Sequence, residues 1–361
     1  VTLVEREKFP RDKLCGEFIS PECIRHFDAL EIGDNIRSAG GSEVFSTRFF
    51  SQRGHRIDVP SDWFLQGAPA ISLSRAAMDE LLIRRAIASG VRVHEDASVV
   101  GISLDRGTIR EVNISSANGP MRLSTDLIVD ATGRPRILSK LVDRHYRRGN
   151  PMAKKPGRYL AFKAHFQGAQ LDHGTCAIYS FAGGYCGLTR IELGSFNLCL
   201  ILKVEEARHH GSDADKIVAN VIAENKKAAA SLQAAKRTSD WLTVSISEFG
   251  QRDVVPARNL FLAGDSGAFI DPFTGSGILM ALESSEILSR CMVRSPDDPD
   301  RIGNDYRLAH SKHFAKRLNA SRFIRFAAYN PTLAGVAIGV LGRSLSIRRF
   351  LTWATRDRSP Q

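Results

Sequence analysis

Between Asn259 and Ser289 the chain reads NLFLAGDSGAFIDPFTGSGILMALESSEILS, and its polar residues are spaced as a ligand-binding turn requires. The apolar run Leu260-Phe261-Leu262-Ala263 suits a buried parallel strand. Gly264-Asp265-Ser266 breaks it at the strand's carboxyl end, where open α/β sheets bind ligands. A carboxylate there is the wrong sign for phosphate, but it accepts hydrogen bonds from sugar or ribitol hydroxyls. Asp271-Pro272 and then Gly275, Ser276 and Gly277 form a tight loop. Ile278, Leu279, Leu282 and Leu288 then fall along one side of a helix. A glycine loop opening a helix presents unpaired N–H groups at the positive end of a dipole, which suits an anionic or electron-rich ligand. The plainer alternative is a strand–turn–helix whose glycines serve close packing.

Other residues of possible chemical use lie on elements of the same kind. Val1 to Glu5 reads as a buried strand ending in an acid, and a loop carrying Cys15, Gly16 and Phe18 follows. Ser20-Pro21 then suits a helix start, with Ser20 as N-cap. Leu73-Ser74-Arg75 opens a helix through Met78, Asp79, Leu81 and Leu82, and Val99 lies in the strands after it. Thr108–Ile114 and Met121–Leu123 alternate around Asn118-Gly119, a small antiparallel meander. Asp126 to Gly133 is a buried strand ending in Ala-Thr-Gly, whose small residues allow close backbone approach. From Tyr159 to Lys203 come strands rich in aromatics, among them Tyr179, Phe181 and Tyr185. These are read either as core or as the walls of an apolar substrate pocket.

The totals fit these elements. A chain of 361 residues, 43% hydrophobic and 25% charged, is long enough for two domains sharing a large core. Six cysteines without a CxxC pair fit free thiols in a reducing, cytoplasmic setting, and zinc or another metal has no ligand pattern. No apolar run reaches the length of a membrane span. The net charge of +11 is uneven: from Arg290 onward there are fourteen Lys/Arg against five Asp/Glu. Such a tail is either a solvated helical face or a contact for an anionic membrane surface or acidic substrate. No helix-turn-helix, zinc-finger or RNA-binding signature points to nucleic acid.

Gly-Asp at a strand end, Asp-Pro six residues later and Gly-Ser-Gly entering a helix together resemble the second flavin-binding motif of FAD-dependent oxidoreductases related to p-hydroxybenzoate hydroxylase. Within that group the chain looks most like the geranylgeranyl reductase branch, through Lys13-x-Cys15-Gly16-Glu17, the form Arg75-x-x-x-Asp79-x-x-Leu82, and Ala131-Thr132-Gly133 in the expected order. The resemblance implies an α/β, Rossmann-like FAD-binding domain of the glutathione-reductase type, over 1–40, 69–145 and 255–295. It implies an inserted antiparallel β-sheet substrate domain over 41–68 and 146–254, and a C-terminal helical basic segment over 296–361. It implies that roughly thirty residues with the GxGxxG turn precede Val1, the size of that unit in this fold. In their absence the chain is expected to bind FAD poorly.

On the same basis Glu5 is expected at the adenosine ribose and Val99 at the adenine. Cys15, Gly16, Phe18, Arg75, Asp265, Gly275, Gly277 and Ile278 are expected at the flavin, with Cys15 the one candidate for a catalytic role. The implied activity is an FAD-dependent oxidoreductase reduced by NAD(P)H or another donor, acting on an isoprenoid, lipid-like or quinone-like substrate. Reduction of a double bond competes with hydroxylation of an aromatic ring, and a non-catalytic remnant of the scaffold is the contrasting class. The histidine of aromatic hydroxylases, the reductases' Tyr-x-Trp-x-Phe-Pro element and the tryptophan-rich motif of flavin halogenases are all absent.

Overall fold

The computed structural model describes residues 1–65, 67–146, 157–211, 213–330 and 335. The segment 331–353 therefore lies almost wholly outside the described residues, as does much of the basic run at 144–158. The chain opens with β1 (Thr2–Val4), β2 (Phe18–Ile19), α1 (Cys23–Ala29) and α2 (Gly33–Ser38). Ser20 is not the cap of α1: Pro21 and Glu22 form a turn first, and Glu22 stands at the N-cap. Strands β3 (Ser42–Val44), β4 (Ser46–Phe50), β5 (Arg56–Pro60) and β6 (Ala70–Ser72) lead to α3 (Arg75–Ala88), which Ser74 caps through Ala77 N–H. After β7 (Arg92–His94) comes the expected meander of β8 (Ala97–Asp105), β9 (Thr108–Ser116) and β10 (Gly119–Ser124). Strand β11 (Ile128–Asp130) and α4 (Ile137–Tyr146) complete this half.

The aromatic region forms β12 (Tyr159–Gln167), β13 (Thr175–Phe181), β14 (Gly184–Arg190) and β15 (Phe196–Lys203), then α5 (Val204–His210), α6 (Ala214–Ala223) and α7 (Lys226–Leu232). The remaining strands are β16 (Lys236–Arg237), β17 (Leu242–Ile246), β18 (Gly250–Gln251), β19 (Leu260–Leu262) and β20 (Ala268–Phe269), before α8 (Gly277–Arg294) and α9 (Pro299–Ala328).

An eight-stranded sheet runs in the order β16-β12-β15-β14-β13-β4-β5, with β17 on β12. It is antiparallel apart from the parallel pairing of β4 with β13, so it is a mixed sheet. Alternation divides its residues between two covered faces. Phe162, Tyr179, Phe181, Leu198, Leu200 and Leu202 pack on one side with Val218 and Val221 of α6. Ala161, Tyr185, Ile201 and Ile246 pack on the other, with Phe249, Phe269 and Phe273.

The other half of the molecule contains the parallel pairs β1 with β7 and β11 with β19. Among the described residues β1 and β11 are each paired along one edge only. Val129 of β11 is 44% exposed, whereas all three residues of β19 are fully buried. Helix α8 returns over β19, and α9 packs on it through Ile302 and Tyr306. Glu283 of α8 locks the two helices together by accepting from Arg317 Nη1 at 2.7 Å. No described helix is long and apolar enough to cross a membrane.

Candidate functional site

Asp130, wholly buried at the end of β11, organises the turns around it. Its carboxylate accepts from Thr132 N–H at 3.0 Å, Thr132 Oγ1 at 2.6 Å and Ser139 N–H at 3.3 Å. Ser266 Oγ donates to Gly133 O at 3.0 Å, joining this turn to the one after β19. Gly264, at φ +60, permits the sharp exit from β19, and its N–H donates to Ser284 Oγ of α8 at 2.9 Å. Asp265 is thereby held half-buried at the strand end. Its carboxylate makes no hydrogen bond or ion pair with the described residues. Burial raises its pKa from 3.8 to about 6, against the pull of Arg134 and Arg75. A half-buried carboxylate without a protein donor suits a ligand that brings hydroxyl groups.

The second turn fits the same ligand. Gly275 is left-handed at φ +61, and a side chain there would meet the ring of Phe18 at 3.1 Å. Ser276 stands at the N-cap of α8 without a side-chain capping bond, so the first N–H groups of this eighteen-residue helix remain available. A Cβ added at Gly277 would meet nothing within 4 Å, so open space lies against the helix start. Nor would one at Gly16, beside Phe18.

The structure brings Cys15, Arg75 and Asp265 together. Arg75 is half-buried and bidentate to Asp79, at 3.0 and 2.9 Å, so Asp79 braces the arginine as well as its helix. Burial alone would lower the pKa of Arg75, but Cys15 and Asp79 hold it above its ordinary value. Cys15 Sγ accepts from Glu17 N–H at 3.3 Å, and its carbonyl accepts from Asn197 Nδ2 of β15 at 3.0 Å.

The expected adenosine residues lie apart from these. Val99 sits in the meander core near Val4. Glu5 is already engaged by Arg11 Nη2, at 3.0 Å to each carboxylate oxygen, and by Glu7 N–H at 3.1 Å. A ribose there would have to share that carboxylate.

The three pocket candidates do not stay together. Tyr185 faces the turn before α8: its hydroxyl donates to buried Asp271 Oδ1 at 2.9 Å and its ring stands edge-on to Phe273 at 5.0 Å. Tyr179 and Phe181 fall on the opposite parity and lie in the core beneath α6 and α7, with Tyr179 OH 2.8 Å from Ser231 Oγ. The aromatic side chains clustered with Tyr185 are Phe49, Phe273, Phe249, Phe269 and Tyr329.

Two groups were missed by sequence reasoning. Glu17 is wholly buried, and its carboxylate accepts from Arg75 N–H at 3.0 Å and Lys163 Nζ at 2.8 Å, with His165 Nε2 also 2.8 Å away. Lys163 also donates to Asp12 at 2.9 Å. Burial would lower the pKa of Lys163, but Glu17 and Asp12 raise it. Asp12, Glu17 and His165 offer metal-ligand atoms within 4.8 Å of one another, yet the Lys163 ammonium already bridges the two acids. The detectable signal was a lysine and a histidine on one parity of an otherwise apolar strand. The second missed group is Arg134, directly after the Ala-Thr-Gly turn, whose guanidinium lies 5.2 Å from the Phe269 ring.

No family model matches the chain. A tryptophan 2-halogenase from Chondromyces crocatus is 25% identical over 347 residues, covering 91% of this chain and 62% of the relative. The flavin-dependent brominase Bmp2 superimposes with a TM-score of 0.80 at 16% identity, covering 98% of this chain and 86% of that one. A geranylgeranyl bacteriochlorophyll reductase-like protein from Thermoplasma acidophilum gives 0.70 at 14% identity, covering 98% and 85%. The chain spans about three fifths of the length of the curated relatives it matches. Its architecture is the α/β FAD-binding fold of the flavin-dependent halogenases, with mixed sheets and a C-terminal helical segment, shared more distantly with the geranylgeranyl reductase-like proteins.

Proposed function

We propose that the protein is an FAD-dependent oxidoreductase that halogenates an aromatic substrate. The observation that carries the flavin part is the half-buried, unpartnered carboxylate of Asp265 beside the open amino terminus of α8. Asp265 would accept the ribitol hydroxyls, the N–H groups at Gly277 and Ile278 would face the electron-rich edge of the ring system, and Arg75 and the Cys15-Gly16 turn would close its other side. The aromatic wall around Tyr185 and Phe273 would seat a planar apolar substrate and exclude water from it. Bound FAD would supply the oxygen-dependent redox chemistry.

Halogenation is preferred to reduction of a double bond because the curated relatives include a tryptophan 2-halogenase and a flavin-dependent halogenase from Armillaria mellea. The net reaction exchanges an aryl C–H for a carbon–halogen bond. Dioxygen takes two electrons from reduced flavin and two from halide, and leaves as water and hydroxide. Reduced flavin would come from a separate donor system, for which NAD(P)H is the proposed source of electrons.

The test supplies purified protein with reduced FAD, bromide, oxygen and a panel of indoles, pyrroles and phenols. Mass spectrometry should show the paired bromine isotope pattern in a product. A product heavier by two hydrogens from an unsaturated substrate, with no brominated species, would establish reduction instead, and a product heavier by one oxygen would establish hydroxylation.

A further inference from the structure

Arg134 is a half-buried cation that forms no ion pair with the described residues. Its Nη1 atom is buried and makes no hydrogen bond with the described residues. Asp265 is near enough to influence its titration, but the two form neither a hydrogen bond nor an ion pair. The guanidinium is positioned on both sides. Gly133 before it is left-handed at φ +73 and is fixed through its carbonyl by Ser266. The Phe269 ring beneath it stacks on Phe249 at 5.0 Å with 15° between planes. Leaving a buried charged donor unsatisfied costs more than leaving a neutral one, and an unpaired buried group in a native structure calls for a water, an ion, strain or a functional role to account for it.

We propose that Arg134 receives an anionic oxygen group, a carboxylate or phenolate, on the aromatic substrate. Guanidinium presents a planar fork that matches a carboxylate, remains charged in an apolar setting and tolerates an aromatic ring at its face. Its other neighbours decide between the substrate and the FAD diphosphate as source of the anion. Phe269 belongs to the aromatic cluster around Tyr185, and Cys199, a neutral thiol near enough to Arg134 to bear on its titration, lies on β15 two residues from Ile201 of the same cluster. Arg134 therefore stands at the seam where the substrate face meets Asp265. The inference rests on the flavin reading above and adds to it the charge of the substrate.

The test compares the full chain with Arg134→Gln and Arg134→Lys, with folding checked by circular dichroism. Calorimetry measures binding of two matched pairs, benzoate against benzamide and indole-3-carboxylate against indole-3-carboxamide. Flavin fluorescence measures binding of FAD and of riboflavin, which lacks the diphosphate. The unsubstituted protein should prefer each acid to its amide. Arg134→Gln should lose about tenfold to a hundredfold in acid affinity, the range for a hydrogen bond to a charged group, and should leave both flavins unaffected. Arg134→Lys, which keeps the charge without the fork, should lose less.

The proposal is overturned if the unsubstituted protein shows no preference for the acids, or if Arg134→Gln keeps it. It is overturned in favour of the diphosphate if Arg134→Gln weakens FAD but not riboflavin. Should the unsubstituted protein bind neither flavin yet show the Arg134-dependent preference, the flavin reading fails and this one stands. If Arg134→Gln does not fold, Arg134→Lys decides: acid affinity equal to that of the unsubstituted protein overturns the proposed fork.

Discussion

Replacing Asp265 by Asn should stabilise the flavin-free protein and weaken flavin binding at once. The carboxyl titrates near 6 in the folded state against 3.8 for an ordinary aspartate, because burial disfavours its charge. Each pKa unit corresponds to about 1.4 kcal/mol, so the ionised group costs at most about 3 kcal/mol of stability. Solvent reaching the half-buried carboxylate reduces this to about 1–3 kcal/mol. The sign follows from proton uptake. Between pH 3.8 and about 6 the folded state holds more protons than the unfolded state, so stability falls as pH rises through this window and the full penalty applies above it. Asn keeps the shape and an acceptor oxygen without the charge, so the penalty disappears. Losing a charged acceptor for the ribitol hydroxyls should weaken FAD about tenfold to a hundredfold. Urea denaturation of the flavin-free protein at pH 4.5 and 7.5, with flavin titration at pH 7.5, reads both effects. An Asn variant less stable at pH 7.5 than its parent, or one that binds FAD equally well, would refute the assignment of Asp265 as a strained ligand.

Glu283 should give the opposite pH dependence. Burial would raise its pKa, but His313 and Arg317 hold it at about 2, so its roughly 3 kcal/mol is present above pH 4.5 and lost as pH falls toward 2. Acid denaturation of Glu283→Gln should accordingly show a flatter limb between pH 4.5 and 2 and a lower stability at neutral pH. Gly277→Ala meets no atom and gains helix propensity, so it should leave thermal stability unchanged or raise it by about 0.5–1 kcal/mol while lowering FAD affinity; unchanged flavin binding would show that the α8 terminus does not face the cofactor. Lys163→Met removes the lysine paired with the buried Glu17 carboxylate and should cost about 3–5 kcal/mol in a urea melt, whereas a near-neutral result would mean that His165 and the Arg75 N–H satisfy it. Helix α9 exposes Phe323 and Phe326 beside Arg322 on a strongly basic segment, and flotation with anionic vesicles should show binding that fades with salt; equal behaviour with neutral vesicles would leave a solvated face.

The parts of the fold most legible in sequence are those fixed by local chemistry. Leu260–Leu262 reads as a buried strand because nothing polar interrupts it, and Gly264 and Gly275 mark its turns because both adopt left-handed backbone. Arg75 stands out through the form Arg75-x-x-x-Asp79-x-x-Leu82, and the structure shows that form as the first turns of α3, directly after the capping Ser74. What fails to show depends on residues distant in sequence. Arg134 sits in an ordinary Gly-Arg-Pro-Arg turn, and only Asp265 and Phe269, more than a hundred residues later, give it meaning. Alternation along β13 and β14 shows that Tyr179 and Tyr185 have different surroundings only once their cross-strand register is known: Tyr179 pairs with Cys186, which places Tyr185 on the other face. Glu5 looks free for a ribose in the sequence because Arg11 folds back to it through a loop whose path no periodicity encodes. The tryptophan-rich element is absent, yet the chain is similar to a tryptophan 2-halogenase over 91% of its length and shares its fold with the brominase Bmp2. A single short motif reports one wall of a site, whereas the fold is carried by hundreds of positions.

Glu17 explains how the two walls keep their spacing. It lies on the loop that carries Cys15 and Gly16, with a left-handed backbone at φ +53 that turns its carboxylate inward. One oxygen accepts from the first N–H of α3 and from Lys163 of β12, and the other meets His165 of the same strand. Asn197 of β15 holds the same loop through the carbonyl of Cys15. A buried ion network of this kind roughly breaks even against apolar packing of equal volume, so net stability is a poor reason for its presence. Its geometry is a better one. Breaking any single member strands a charge in the interior, so the sheet cannot slide along the loop by even part of a residue without a penalty of several kcal/mol. The loop that faces Asp265 and the strands that continue into the aromatic cluster are thereby held in one register, so on the proposed reading a substrate seated on Tyr185 would meet a flavin seat whose position is already set.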